Sequence, residues 1–595
     1  MFFEGQIVTK HWLFRPSQSV PNQAALTKQL DISPFLADLL LRRGFKDAQA
    51  MEHFLSPKLG RIVHPDKWPQ IPEAAALLVD KLLACDPIVV WGDYDVDGVT
   101  ATALCLDVLE YYGFKPQFYL PNRISDGYGL NSQTLTTLAQ QGAKLLLTVD
   151  CGIANTNEVA LAKELGMTVI ITDHHLPQNE TPQADAICNP KLLPPSMTPD
   201  QDLAGVGVAF FLMASVNQRL ARHFKKQPYA MTNCLDLVAL GTLADLMPLT
   251  RQNRILVASG LKQIRDAKRV GIAALKILSG FNIAAELKSI EISFKLAPRL
   301  NAAGRISHAS KALELLRSDS KSLAKSLAEE LDALNCARRS EEEKILAEAR
   351  VEAMRQMQEA QASLVLYGEQ WHPGIIGIVA SRLVEEFGRV CVVLCKHKTV
   401  YKGSGRSFGQ LDLHSLLSTV KNYLITFGGH KAAAALTLQP EMLEQFKAAF
   451  DAACAKACAE TKPKQEILLD AELSLKDAFQ AETLAEIALL EPFGQGNPEP
   501  VFASPPLIVE RHDYLGYDQK NILLTVRDTT SQVRLQAKGW RMAREYPPPA
   551  LAGKRVRLAY ALRLNMFRGI PQPELEIKDI HLEANPNCTI ENVPF

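Results

Sequence analysis

Asp93, Asp95 and Asp97 stand at alternate positions in the run Ile88-Val-Val-Trp-Gly-Asp-Tyr-Asp-Val-Asp-Gly98. Carboxylates this close repel one another unless a cation or protons neutralise them. Hard oxygen donors at a strand end suit Mg²⁺ or Mn²⁺; an Asp-rich turn between a strand and a helix fits the same residues. Asp150 follows the apolar run Lys144–Val149, and Asp173 follows Met167–Thr172 and leads into His174-His175. Neighbours on an extended segment point opposite ways, so one of the two histidines can ligate a metal while the other faces a substrate. Asp173 can orient a neighbouring ring. Asp245 is a lone acid among apolar neighbours in Gly241-Thr-Leu-Ala-Asp-Leu-Met247. If buried it needs a partner or a metal.

Basic residues gather elsewhere. Residues 387–411 carry Arg389, Lys396, Lys398, Lys402 and Arg406 without an acid, and residues 292–313 carry Lys295, Arg299, Arg305 and Lys311 without one. In Pro298-Arg-Leu-Asn-Ala-Ala-Gly-Arg305 the two arginines and Asn301 could hold phosphate oxygens. His372-Pro-Gly-Ile-Ile-Gly377, Lys402-Gly-Ser-Gly-Arg-Ser407 and Gly428-Gly-His430 combine glycines, which admit close backbone approach, with polar groups. Of these, Ser404 and Arg406 could seat a phosphate. The small residues of Leu203–Ala209 start a helix and could offer N–H groups to phosphate or simply pack closely. Solvated faces and tight turns account for any one of these features alone. Lys plus Arg and Asp plus Glu both total 65, so the net charge is zero and gives no overall bias toward nucleic acid. The distribution instead fits a polyanion gripped by basic strips and cut at an acidic metal site.

The elements that must position these groups follow from the pattern. From about residue 76, short apolar runs alternate with helical stretches, which argues for a parallel sheet covered by helices. Ligands of such sheets bind beyond the carboxyl ends of the strands, where the acids stand. The first strand is expected over Ile88–Trp91, with Gly98 turning the chain into a helix over Val99–Tyr112. Leu323, Leu327, Leu331 and Leu334 share one face of a long helix. Its apolar stripe fades over Asn335–Lys344, which predicts a connector exposed to solvent. A second α/β unit follows, and then strands such as Val533/Leu535/Ala537, Val556–Leu562, Leu575/Ile577 and Ile580/Leu582, a pattern that fits an OB-like barrel. The expected division is an N-terminal extension over 1–75, a catalytic domain over 76–319, a connecting helix over 320–361, a second α/β domain over 362–455 and a barrel over 465–595.

With 47% apolar and 22% charged residues the composition is that of an ordinary globular protein. No stretch reaches the apolar length of a membrane span. Met1 to Gln6 lacks the basic start and apolar core of a signal peptide. The eleven cysteines are scattered and odd in number. Cys391/Cys395 and Cys454/Cys458 read as buried thiols rather than a zinc site, so a reducing cytoplasm is expected.

Taken together, Asp93-Tyr-Asp-Val-Asp-Gly98, Asp150-Cys-Gly152, Asp173-His-His175 and Ala244-Asp-Leu-Met247 resemble the four motifs of the DHH phosphoesterases. The glycine-rich trio ending in Gly428-Gly-His430 resembles the DHHA1 domain that accompanies them. Pro298–Arg305, His372-Pro-Gly-Ile-Ile-Gly-Ile-Val-Ala-Ser-Arg382 and Glu491-Pro-Phe-Gly-Gln-Gly-Asn-Pro498 resemble the family's bacterial single-strand-specific DNA exonucleases. The resemblance runs from about residue 10 onward. It implies an α/β protein: a parallel-sheet DHH domain, a long connecting helix, a DHHA1 domain and a C-terminal OB domain that tracks the strand. It implies degradation of single-stranded DNA from the 5′ end to mononucleotides with Mn²⁺ or Mg²⁺, in DNA repair and recombination. By motif position Asp93, Asp95, Asp97, Asp150, His174 and Asp245 match metal ligands, and His175 a position near the scissile phosphate. Arg123, in Pro121-Asn-Arg123, resembles a 5′-phosphate contact together with Ser404 and Arg406. Arg299 and Arg305 resemble DNA contacts. His372, Gly428, Gly429 and His430 fall in the motifs expected at the nucleic acid. A single-strand binding protein and a RecQ-like helicase are the partners the resemblance suggests, and a monomer is expected. Two positions depart from the family: Cys151, where many relatives carry Asn, and Ala435, where many carry Gly.

The mechanism expected is two-metal phosphodiester hydrolysis with Asp150 as the shared carboxylate and His175 acting on charge or proton at the phosphate. Two rivals stand beside it. One is a DHH enzyme for short oligonucleotides, cyclic dinucleotides or pyrophosphate. The other is a catalytically dead DNA-binding scaffold.

Overall fold

The structure is a computed structural model that describes residues 10–16, 23–123, 125–177, 180–461, 466–567 and 570–583. Met1–Gln6 and Cys588 lie outside them. The chain forms two compact units, one of residues 57–460 with 492–497, the other of residues 1–56, 461–491 and 498–595.

The first unit begins with a five-stranded sheet in the order 117–119, 88–92, 145–149, 168–172, 186–188. Every neighbouring pair is parallel. Ile88–Gly92 and Leu145–Val149 are buried throughout, as strands covered by helices on both faces must be. Register then does the positioning. Gly92, Val149, Thr172 and Cys188 lie in one row across the sheet, so Asp93, Asp150, Asp173 and Asn189 come off four adjacent strands at the same level.

The helix after the first strand spans Val96–Tyr111, three residues earlier than its expected start. Asp95 causes the difference. Its Oδ1 accepts the N–H groups of Asp97 (2.9 Å) and Gly98 (3.2 Å), an N-cap that recruits Val-Asp-Gly into the first turn. Gly98 is therefore helical rather than a turn. A Cβ there would lie 2.5 Å from the Asp93 nitrogen, so the glycine lets the helix close onto the aspartate loop.

The long helix runs over Lys321–Gln358. Ala324, Leu327, Ala328 and Leu331 enter the core around the first sheet, while Ile345, Leu346, Ala349 and Ala353 enter that of the second lobe. Most of its middle is exposed to solvent, as expected over Asn335–Lys344, but one face is not. Glu342, 1% exposed, pairs with Arg338 at 2.9 Å and with Arg382 at 2.7 Å, and Arg338 also reaches Asn335. The apolar stripe fades because a buried ion-pair network replaces it.

The second lobe holds a mixed sheet in the order 426–429, 433–438, 400–406, 390–397, 363–368. Along Val400–Arg406 the period of two puts Gly403 and Gly405 on the buried face and Lys402, Ser404 and Arg406 on the other. Cys391, Cys395 and Cys454 are buried thiols without disulfide partners, Cys458 a half-buried one.

The other unit closes a barrel of five strands in the cycle 507–515, 521–528, 534–539, 570–582, 555–567. The segment His11–Phe14 pairs in parallel with Glu466–Leu469. Trp12 donates to Asp579 at 2.7 Å and stacks on His581. The described residues up to Ser56 thus group with the barrel, whereas the sequence pattern joins them to 57–75. The pairing that decides this spans most of the chain, so no local signal carries it. Among the described residues no helix is long and apolar enough to cross a membrane.

Candidate active site

The row of strand ends and the Val96 helix bring the acids together. Asp93, Asp97, Asp150, Asp173 and His174 are buried. Three groups of side chains each offer donor atoms within 4.8 Å of one another: Asp150, His174 and His175; Asp97, His174 and Asp245; Asp93, Asp95 and Asp150. Nε2 of His174 lies 3.1 Å from Asp150, 3.6 Å from Asp245 and 3.8 Å from Asp97, yet makes no hydrogen bond. Oδ1 of Asp93 and Oδ1 of Asp150 accept none either.

Without a cation the group is electrostatically frustrated. Burial, and then the neighbouring carboxylates, push Asp93, Asp97 and Asp150 well above the usual carboxylate range. Burial and Asp95 lift Asp245 to about 7. Burial and the charge of His175 hold His174 down to about 3, leaving a neutral imidazole. Buried orphaned oxygens around a neutral imidazole nitrogen form the donor set of a divalent cation. The residues fit such an ion.

Two local devices hold the candidate ligands. Asp97 is fixed by the start of the helix Gly205–Phe224, whose Gly205 and Val206 N–H groups donate to its two oxygens at 2.6 and 2.9 Å. The small residues at this helix start therefore serve an internal carboxylate, not a phosphate. Asp150 stands at φ +63, a left-handed conformation that Asp tolerates better than most residues. Cys151 is buried with its Sγ 3.7 Å from the Trp91 carbonyl, so the departure from Asn lies beneath the strand ends rather than among the ligands.

Asp173 is fully occupied. Its Oδ1 accepts the His174 and His175 N–H groups and stands 2.8 Å from Nδ1 of His175; its Oδ2 accepts Ile153 N–H. It orients rather than ligates. Burial opposes the imidazolium of His175, but the hydrogen bond and charge of Asp173 prevail and lift the ring to about 9. With Nδ1 held by Asp173, Nε2 is the nitrogen left for a substrate. Tyr128, which no motif of the sequence singles out, places its hydroxyl 3.2 Å from the Asp150 carbonyl and 3.1 Å from His175 Nδ1. Its only sequence signal is the flanking pair Gly127 and Gly129.

A cavity of about 670 Å³ adjoins this cluster through Tyr94, which sits between Asp93 and Asp95, and through Tyr128. Arg123, Arg305, Lys402, Ser404, Arg406 and Gly428 line it, and no acid does among the described residues. Arg123 lies over the Tyr94 ring, 5.0 Å from its centroid. Burial and then Arg123 depress Arg305 to about 10 and also lower Arg406. Cations that disfavour one another's charge in a partly dry cleft call for an anion. Arg406 is aimed by Ser381 (3.1 Å) and Ser404 (3.0 Å), and the N-terminal residues Ile376 to Ile378 of the helix Ile376–Phe387 complete the wall. Ala435 is paired in register with Gly428 and Ser404 and lines the same cavity.

Other expected contacts fall differently. Arg299 does not line the cavity; it donates to Asp332 (2.8 Å) and the Lys295 carbonyl (2.5 Å). Asn301 does not line it either, and its Oδ1 accepts the Val96 N–H at 3.2 Å. Arg305 reaches the Gly374 carbonyl at 3.0 Å while His372 Nδ1 accepts the Gly374 N–H at 3.1 Å. Gly429 ends the strand 426–429 opposite Ala434, and His430 opens the hairpin turn, where its N–H donates to the Ala433 carbonyl at 2.8 Å.

Three profiles of known families match the chain. They are the DHH family N-terminal domain over residues 87–242, the DHHA1 domain over 360–456 and the RecJ OB domain over 469–579. The single-stranded-DNA-specific exonuclease RecJ of Bacillus subtilis is 36% identical over 95% of this chain and 70% of its own length. That of Escherichia coli is 34% identical over 92% of this chain and 96% of its own length. The crystal structure of RecJ from Thermus thermophilus in complex with Mn²⁺ superposes with a TM-score of 0.80 at 30% identity, covering 96% of this chain and 79% of that one. Its complex with Mg²⁺ gives 0.75 at 29%, covering 96% and 78%. With all three domains in order and identities above 30% over nearly its whole length, the chain belongs to the RecJ family of single-stranded-DNA-specific exonucleases.

Proposed function

We propose that the protein is a metal-dependent exonuclease that degrades single-stranded DNA from the 5′ end to mononucleotides. The observation that supports recognition of a strand end is the cavity of Arg123, Arg305, Lys402, Ser404 and Arg406 beside the buried acids, and the 5′ direction is what the family resemblance implies. A terminal phosphate held there leaves the next phosphodiester bond at the acids.

Asp93, Asp95, Asp97, Asp150, His174 and Asp245 would hold Mn²⁺ or Mg²⁺. Such ions supply charge neutralisation at the phosphate and activation of water. The residues do the rest. Asp97 is kept in place by the helix N–H groups of Gly205 and Val206, and Asp173 keeps the His175 ring turned. Nε2 of His175 then stabilises charge on the phosphate or passes a proton at the scissile bond. Arg123, Ser404 and Arg406 bind the terminal phosphate, Ser404 and Ser381 holding the Arg406 fork ready. Stacking in the barrel adds about 1–3 kcal/mol per base without reading sequence. On this reading the enzyme works as a cytoplasmic monomer in DNA repair and recombination. A RecQ-like helicase and a single-strand binding protein are its fitting partners, since they expose and cover single strands.

The test follows long single-stranded and duplex DNA, labelled at either end, with Mn²⁺ and with EDTA. Mononucleotide label released at once from the 5′ end of single strands only, and only with metal, is the expected result. Release from the 3′ end overturns the direction. Retained binding without turnover identifies a scaffold, and cleavage of dinucleotides alone a small-substrate phosphodiesterase.

A further inference from the structure

The residue that touches His175 and the residue that lines the phosphate cradle lie on one braced segment. It joins the strand Gln117–Tyr119 to the helix Ser132–Gln140. Near its start, Asp126 Oδ2 accepts the Asn122 N–H and the Tyr119 hydroxyl, both at 2.8 Å, and the Asp126 N–H donates to the Asn122 carbonyl at 2.9 Å. These bonds flank Arg123 on both sides. At its end, Asn155 Oδ1 accepts the Leu130 N–H at 3.2 Å. A Cβ on Gly129 would lie 2.3 Å from that same oxygen, so the segment is pressed against Asn155. The Asn155 N–H in turn donates to the Gly152 carbonyl, two residues beyond Asp150.

Tyr128 sits between these two fixed points. Its hydroxyl bridges the Asp150 carbonyl and Nδ1 of His175, and its ring meets the His175 ring edge-on with centroids 5.6 Å apart. Tyr128 is 41% exposed and lines the cavity that Arg123 also lines. The same short segment thus carries a residue of the cationic cavity and a residue that touches the His175 imidazole.

We propose that Tyr128 is a positioning residue that couples occupancy of the terminal-phosphate cradle to the seating of His175, so that a 5′-phosphate raises turnover and not only affinity. This rests on the proposed 5′-end reading of the cavity. A phosphate drawn onto Arg123 adds a further tie to the segment already braced by Asp126 and Asn155, and so tightens the hold of the Tyr128 hydroxyl on His175 and on the Asp150 backbone. A strand with a 5′-hydroxyl lacks that tie and leaves the Tyr128 contact looser. Arg123 and Tyr128 stand five positions apart in the sequence with the Asp126 brace between them, and both have a chemical task.

The experiment compares single strands ending in 5′-phosphate and in 5′-hydroxyl. Wild type, Tyr128→Phe, Arg123→Ala and the double variant are measured for kcat and KM with Mn²⁺, and for strand affinity in EDTA. Tyr128→Phe keeps the ring and removes only the hydroxyl. It is expected to lower kcat on the 5′-phosphorylated strand roughly ten- to hundredfold, the usual cost of removing a group that orients a functional histidine. KM and the EDTA affinity should stay near wild type, and the kcat on the two ends should converge. The double variant should have the kcat of Arg123→Ala, because both changes break one coupling. Asp126→Ala, which frees the segment without touching the cavity or His175, should reproduce the convergence. An equal loss of kcat on both ends, or losses that multiply in the double variant, overturns the coupling. If wild type itself ignores the 5′-phosphate, the end-binding reading of the cavity falls instead, and the two failures are told apart by that control.

Discussion

Gly205 lies against Asp150 so closely that a Cβ on the glycine would stand 2.5 Å from Oδ1 of the aspartate and 2.6 Å from its Cβ. Asp150 cannot simply withdraw, because its backbone is already in the left-handed region at φ +63 and its N–H is bound to the Thr172 carbonyl at 2.9 Å. Gly205→Ala should therefore force Asp150 or the helix start to shift, displacing a carboxylate at some cost to the fold. Mn²⁺ affinity or turnover is expected to fall roughly ten- to hundredfold, with a lowered melting temperature in EDTA as well. Calorimetric titration with Mn²⁺ and a thermal melt decide it; an unchanged affinity would mean that Asp150 has room to move.

The same buried acids make stability depend on the ion. Like charges kept from water repel, and a cation that binds only the folded state adds stability, about 2.7 kcal/mol at a hundred times its Kd. Mn²⁺ should raise the melting temperature of EDTA-treated wild type. Asp150→Asn removes one of the repelling charges, so it should melt above wild type in EDTA, gain less from Mn²⁺, and lose turnover while still binding a single strand. Substantial residual turnover in that variant would sink the shared-ligand role of Asp150.

What the sequence made legible was the chemistry at strand ends. Asp93, Asp150 and Asp173 each closely follow an apolar run, and one in-register parallel sheet suffices to bring them to one level. The edge strands Gln117–Tyr119 and Ala186–Cys188 are too short to show a period. In the barrel, a bulge between Val509 and Arg511 breaks the alternation of Leu507–Leu515, which hides that strand. Tyr128, and the fact that Gly205 serves carboxylates, were illegible for a different reason. Their roles exist only as contacts with residues 22 and 47 positions away, or with a carboxylate on another element, and no local pattern encodes them.

Arg406 offers a test of the end cradle that is independent of the metal. Its guanidinium is aimed by Ser381 and Ser404 and carries no carboxylate partner among the ion pairs of the described residues. Arg406→Ala should reduce the preference for 5′-phosphate over 5′-hydroxyl strands roughly tenfold or more, the scale of a charge-assisted hydrogen bond. Arg406→Lys keeps the charge but loses the fork, so it should recover only part of the preference. Competition between the two strands in EDTA measures this directly, and an unchanged ratio in Arg406→Ala would place the cradle elsewhere.

Asn301 separates two roles that its motif alone left together. As a phosphate contact, its loss would weaken strand binding. In the structure its Oδ1 instead accepts the Val96 N–H, while Gly304 one turn later lies under the Tyr94 carbonyl, 2.4 Å from where a Cβ would stand. One face of the helix Ala297–Ile306 is thereby pressed onto the Asp93–Asp97 loop. Losing such a capping acceptor costs about 1 kcal/mol, and here that cost falls on the geometry of the acids. Asn301→Ala should raise the Mn²⁺ concentration needed for half-maximal turnover and lower the melting temperature slightly. Strand affinity in EDTA should hold, because the side chain does not reach the cavity. Titrating metal at saturating strand, and strand without metal, resolves the two roles: weaker strand binding with an unchanged metal requirement would return Asn301 to the phosphate.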